Sequence, residues 1–499
     1  MNPGNHAGSH GVRTTKRDEE PTSDLSLPSR HKLVSWEGPD DEQNPKNWQM
    51  STKWTITVMV SFYAFISSVS SSMMAPGLGT IAEEFHVEDE IESQLMLSIF
   101  ILAFAIGPLF FAPLSEVYGR VLVLQSANMI FLVFNIACGV CQSKGQMIVF
   151  RFFAGLGGSA PLTIGGGVLG DLFPPEQRGK SMAIYTLAPL LGPAVGPIAG
   201  GFISENIPWR WIFYTTSIAD GILQLTSLLL LRETYAPKLL RDKARSLRKA
   251  TGDLEHQTEA ERESHGTFWG KLRVSLVRPF RLLATQPLIQ FLAVYMAFLY
   301  GLVYLVLSSF PSLWTNPAYY NESVEIGSLH YIALGIGFWG GSQICAPLND
   351  RIYRILTARN GGVGLPEFRV PLMVISATLT PIGLFIYGWS AQERTHWIIP
   401  DIGACLVAIG IISGFLCIQT YVVDVYTKYA ASALAAVVFL RCLAGFGFPL
   451  FAPYMYDKLH YGWGNSLLAF VAIGLGVPAP LSLWKFGARL RAMSTYAVG

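Results

Sequence analysis

Between residues 54 and 486 the chain alternates long apolar runs with short polar breaks. A membrane helix needs about 20 consecutive apolar residues to cross the hydrocarbon layer. Runs of that length lie at roughly 54–74, 94–113, 121–141, 147–170, 181–203, 211–231, 287–309, 327–348, 370–389, 397–421, 431–454 and 466–486. The pattern predicts an all-α membrane protein with twelve transmembrane helices in two six-helix halves. Five divisions follow: a disordered N-terminal tail (1–53), a first half (54–232), a charged central loop (233–284), a second half (285–486) and a C-terminal tail (487–499). The tail is polar without apolar period. No apolar core follows a basic start, so no cleavable signal peptide is expected.

Composition agrees with this pattern. Of 499 residues, 51% are hydrophobic and only 14% charged, against roughly 25% charged in soluble domains. The six cysteines (Cys138, Cys141, Cys345, Cys405, Cys417, Cys442) fall in or beside apolar runs. They lack ligand spacing with histidine, so neither a disulfide framework nor a zinc site is expected. No metal cluster, phosphate loop or nucleophile–base arrangement points to an enzyme, and no cofactor or nucleic-acid partner is implied.

The location of charge says more than its sum. Lysine and arginine concentrate on the cytoplasmic side of membrane proteins. With the N-terminus inside, the inner loops hold Arg120, Arg178, Lys180, Arg351, Arg354, Arg359, Arg369 and Lys428, besides the basic central segment. The outer loops hold Lys144, Arg210, Arg394 and Lys458, and the first outer loop is acidic (Glu83, Glu84, Glu88, Asp89, Glu90, Glu92). Both termini are therefore expected to be cytoplasmic. Asn321-Glu322-Ser323 is a glycosylation acceptor pattern in a short outer loop.

The fifth run is punctuated by Gly192, Pro193, Gly196, Pro197, Gly200 and Gly201. Small residues let helix backbones approach closely in lipid, and proline bends a helix. This predicts a bent helix with a flat face pressed on a neighbour. A short internal repeat also emerges. Ala112 to Arg120 aligns with Ala346 to Arg354, and Asp171 after span four matches Asp424 after span ten.

These residues resemble the fungal twelve-span drug:proton antiporters of the major facilitator superfamily. Asn44 to Trp48, Pro113 to Arg120, Arg151 to Gly155, Gly192 to Gly201 (the antiporter motif), Trp209 to Phe213, Arg232 to Pro237, and Ala431 through Arg441 to Phe451 carry the resemblance in order. It implies the major facilitator fold and export of a small, largely apolar drug, toxin or fungal secondary metabolite, driven by the proton gradient. A monomer in the plasma or vacuolar membrane is expected. The alternatives are uptake symport or polyamine transport on the same fold, or a non-transporting sensor. The antiporter motif favours export. Sensors are expected to carry long extensions, and about 15 residues follow Trp484.

Ionisable groups inside spans are costly and functional by default. Arg151, Asp220 and Arg441 are the candidates for coupling or cavity charge. By resemblance Arg151 belongs to the coupling machinery, with a structural tie to backbone carbonyls as the alternative. Asp220 and Arg441 pair only if both face the cavity. Span one carries no acid, so Asp220, Asp171 and Asp424 remain open as the proton site. Glu116, Gly119, Arg120 and Asp171, echoed by Asp350, Arg351 and Asp424, form an inner gate by resemblance. Tyr63, Tyr295, Tyr300, Tyr304, Gln343 and Gln419 are the candidate substrate contacts, alongside Phe65, Phe298, Trp339 and Tyr421. Aromatics with few charges suit a bulky, weakly polar ligand.

Overall fold

The structure, a computed structural model, describes residues 33–174, 177–253, 255–262, 268–494 and 496. Residues 1–32 of the N-terminal tail and 497–499 of the C-terminal tail lie outside the described residues. Long helices follow the apolar runs: α1 (Met50–Ser72), α2 (Glu90–Tyr118), α3 (Arg120–Val140), α4 (Lys144–Leu172), α5 (Arg178–Asn206), α6 (Trp211–Leu230), α7 (Pro287–Thr315), α8 (Tyr331–Arg359), α9 (Met373–Gln392), α10 (Ile398–Val425) and α11 (Ala430–Gly476). Among the described residues, nine segments are long and apolar enough to cross a membrane. One of these runs over 63 residues, Ala430–Ala492, and α11 within it turns at His460, where φ is 55° and ψ 179°.

Burial inverts the pattern of a soluble protein. On α6 the polar side chains Ser217, Asp220, Gln224 and Ser227 point into the bundle and are buried. Ile218, Ile222, Leu225 and Leu229 on the opposite face are 56–84% exposed, as lipid contact requires. Prolines inside α2, α4, α5, α7, α8, α9 and α11 are tolerated because neighbouring helices and hydroxyl side chains satisfy the freed backbone groups.

The two halves pack alike. α1 packs on α5 as α7 packs on α11, and α2 on α4 as α8 on α10. Between halves, α2 meets α11 and α5 meets α8. Advancing each number by six exchanges these two contacts, which is what a parallel repeat produces.

One expectation fails over residues 33–53. This stretch is not free of structure. Leu33–Val34 pairs in parallel with Gln257–Thr258 of the central segment. Lys243 holds Glu37 at 2.8 Å, and Asn44 caps the turn Pro45–Asn47. The central segment itself forms the amphipathic helix Ala236–Thr251, with basic residues in its last turn.

At the other end of the bundle the short helix Leu78–Glu84 is held by one acid. Trp209 Nε1 donates to Glu84 Oε2 at 2.6 Å, and Arg210 donates to both carboxylate oxygens at 3.1 and 2.7 Å. The Arg210 bonds, then that of Trp209, hold the Glu84 carboxyl below the usual carboxylate range. A depressed acid contributes stability that is complete above the unfolded value of about 4.3 and lost as pH falls through the folded one. The melting temperature of the native chain should therefore exceed that of Glu84→Gln at pH 6. The difference should shrink towards zero below about pH 4. Thermal unfolding in detergent across that range measures it, and a gap independent of pH would remove the assigned ion pair.

Candidate functional site: the interface between halves

A cavity of about 1190 Å³ separates the halves at the end of the bundle carrying Glu83, Glu88, Asp89, Glu90 and Asp457, which line it. This is the acidic end of the bundle, and the end carrying Arg120 and Arg369 is the basic end. The cavity reaches down to Ser308 and Ser309 on α7. One turn deeper, Tyr304 OH meets Ser71 Oγ of α1 at 3.4 Å, a contact across the halves. One turn deeper again, the Tyr300 ring lies 5.1 Å from that of Tyr304. The Arg441 guanidinium sits over Tyr300 at 4.9 Å and near Phe415 at 6.0 Å.

Arg151 is fully buried. Its Nη1 donates to Ser70 O at 2.8 Å, and Nη2 to Ser71 O at 3.2 Å and Leu97 O at 3.3 Å. Its guanidinium lies 4.5 Å from the Phe100 ring centroid. Ser70 and Ser71 belong to the last turn of α1, where carbonyls lack intrahelical donors. The arginine therefore caps α1 and joins it to α2, immediately beside the Ser71–Tyr304 contact.

Asp220 and Arg441 do not pair. Asp220 Oδ2 accepts from Asn128 Nδ2 at 2.9 Å, inside the first half, and Oδ1 is buried without a hydrogen-bond partner among the described residues. The same network takes in Gln224, whose Oε1 accepts from Asn128 at 3.0 Å and from Tyr63 OH at 2.7 Å. Tyr63 also bonds Ser227. Tyr63 is thus turned into the core of the first half, away from the interface. Tyr295 is likewise committed to its own half, donating to Ser376 Oγ at 3.0 Å. Of the tyrosines singled out in the sequence, Tyr300 and Tyr304 reach the interface. Gln343 on α8, Gln419 on α10 and Asn321 in the loop after α7 are exposed.

At the basic end each half has its own ion-pair cluster. Arg120 Nε holds Asp171 at 3.2 Å, its Nη1 donates to Ser115 Oγ at 2.7 Å, and its backbone N–H donates to Glu233 Oε1 at 2.9 Å. Gly119 turns the chain with φ 101°, and a Cβ there would lie 2.1 Å from Glu233 Oε2. The side chain of Glu116 is exposed, and its carbonyl accepts from Arg241 Nη2 at 3.5 Å. In the second half Arg369, rather than Arg351, bridges Asp350 at 2.7 Å and Asp424 at 3.1 Å. Glu233 and Arg369 are the members the sequence reading missed. Glu233 lies in the stretch Arg232 to Pro237 and Arg369 among the inner-loop charges, but nothing in the sequence marked the partner of either.

The Gly/Pro face of α5 lies where two helices come closest. A Cβ on Gly192 would stand 2.4 Å from Ser68 Cβ, on Gly196 2.7 Å from Val69 O, and on Gly200 1.9 Å from Met73 O. Gly201 faces the other half, where a Cβ would stand 2.2 Å from Ser328 Oγ. One helix thus presses on α1 and touches the second half.

Comparison with known proteins matches this architecture. The Major Facilitator Superfamily model matches residues 60–449. The chain is 50% identical to the efflux pump vrtL of Penicillium aethiopicum, over 94% of this chain and 92% of that protein. It is 41% identical to the efflux pump radE of Floropilus chiversii, over 93% of this chain and 86% of that one. Among solved structures, the xylose transporter XylE of E. coli in a partially occluded, inward-open conformation superposes with a TM-score of 0.64 at 16% identity. It covers 87% of this chain and 98% of its own, a likeness of fold alone. With a family match over most of its length and relatives this close, the chain belongs to the Major Facilitator Superfamily.

Proposed function

We propose that the protein is a secondary active efflux transporter, exporting a small, largely apolar compound such as a fungal secondary metabolite or toxin in exchange for protons. The observation that carries this reading is the full-length similarity to two efflux pumps. A cavity between halves that opens at one end supports it, since alternating access needs a site reachable from one side at a time. The chain is a transporter, not an enzyme, and the proton gradient takes the place of a cofactor.

We read twelve crossings, α11 and its continuation supplying two. The basic end and both termini face the cytoplasm by the lysine and arginine asymmetry. The acidic end then faces outwards, across the plasma membrane, and the cavity is an outward-facing vestibule. A monomer suffices, because the cavity forms within one chain. Arg151 acts as a coupling element by holding the end of α1 beside Tyr304. Asp220 suits the proton site better than Asp171 or Asp424. Those two are paired with arginines, whereas Asp220 shows no cationic partner among the described residues. The basic-end clusters act as gate parts by fixing helix ends within each half.

Cells expressing the chain should accumulate less of an exported metabolite than cells without it, and a protonophore should abolish the difference. Export unchanged by collapse of the gradient would refute the coupling. Net uptake with protons would favour the symport reading.

A further inference from the structure

Two electrostatic zones of opposite sign lie in series between the halves. The deep zone holds Arg151 and Arg441, and among the described residues no carboxylate lies within 4 Å of either. The shallow zone, the cavity, is lined by Glu83, Glu88, Asp89, Glu90 and Asp457, the last paired with Lys458 outside the lining, and no lysine or arginine lines it among the described residues.

The two arginines differ in how they are satisfied. Arg151 shows what a structural arginine looks like in this bundle, with three backbone carbonyls and full burial. Arg441 donates no hydrogen bond to a carbonyl or carboxylate among the described residues. The Nε of both arginines is buried without a hydrogen-bond partner among the described residues, but the Arg441 side chain is partly accessible, and its neighbours are two aromatic faces and the Cys442 thiol. A guanidinium at mid-bilayer is costly, and aromatic faces offset part of that cost. What matches the remaining planar donors is a carboxylate or acidic phenol.

We propose that the transported compound is an aromatic organic anion, bound with its acid group on Arg441 and its ring against Tyr300 and Phe415. The acidic vestibule above then lowers the local concentration of released anion and opposes its return, while attracting protons. This rests on the export reading, and it names the substrate class of that site. A cationic compound meets the wrong sign at the deep zone, which disfavours polyamines.

The test is equilibrium binding to the purified full chain in lipid nanodiscs, without a gradient. Three isosteric probes serve: 2-naphthoate, its carboxamide and 2-naphthylmethylammonium. Naphthoate should bind at least about tenfold tighter than the carboxamide, and the ammonium should not displace it. Arg441→Gln should lose that tenfold preference while still binding the carboxamide, which also reports that it is folded. Arg441→Lys should retain part of the preference. Failure of naphthoate to bind, tighter binding of the ammonium, or an unchanged preference in Arg441→Gln overturns the proposal. Export that ignores the gradient, alongside Arg441-dependent anion binding, refutes the proton coupling and supports this proposal.

Discussion

Replacing Gly200 by alanine is expected to reduce transport at least about tenfold and to lower thermal stability, although alanine is by far the better helix former. The added methyl would stand 1.9 Å from Met73 O, a backbone atom at the end of α1. Backbone cannot rotate away, so α5 must move as a body. Overpacking of this kind costs about 1–3 kcal/mol in a well-packed core. In lipid there is no hydrophobic gain between helices to offset it, because close packing is itself the driving force. The movement reaches the site directly. Gly192 and Gly196 share the same contact line on α1, and α1 carries Ser71, which meets Tyr304. Gly221→Ala is the control, since a methyl there meets nothing within 4 Å. Export rate and melting temperature of the two variants, measured side by side, decide it. Equal behaviour would mean that the tight face of α5 is dispensable.

Arg151→Lys is expected to fail almost as badly as Arg151→Ala, although charge is kept. The guanidinium reaches three carbonyls on two helices from two nitrogens, and it lies on Phe100. An ammonium is a point charge on a flexible stem and cannot reproduce that planar fork. Each buried carbonyl left without a donor costs about 1–3 kcal/mol, so the end of α1 loosens. We expect a loss of export of more than about tenfold together with a lower melting temperature. Near-normal export by Arg151→Lys would show that charge alone is required and that the carbonyl cap is incidental.

Much of this organisation was legible in the sequence. Spans announce themselves because lipid demands uninterrupted apolar length, and the packing face of α5 because small residues recur there every four positions. What escaped was pairing across distance. Asp220 stood out as an intramembrane acid, but its partner Asn128 lies 92 residues away on α3 and carries no charge to mark it. Tyr63 read as a cavity residue because span one faces the interface on one side. Its register instead turns it to Gln224, 161 residues on. Arg369 displaced Arg351 because the repeat aligns helix ends, whereas Arg369 enters from the turn Pro366–Leu372. The docking of Leu33–Val34 rests on two residues of strand pairing, too short for any period to reveal.

The central claim is exchange, compound outwards against protons inwards, and its sign can be measured. The purified chain would be reconstituted in vesicles with a known orientation. A proton gradient would then be imposed, acidic on the side of the acidic end. A panel of largely apolar aromatic metabolites should move towards the acidic compartment, against their own gradient. Protons should enter as they leave. Movement at the same rate and to the same level without the gradient, or accumulation in the direction of proton flow, would contradict the account.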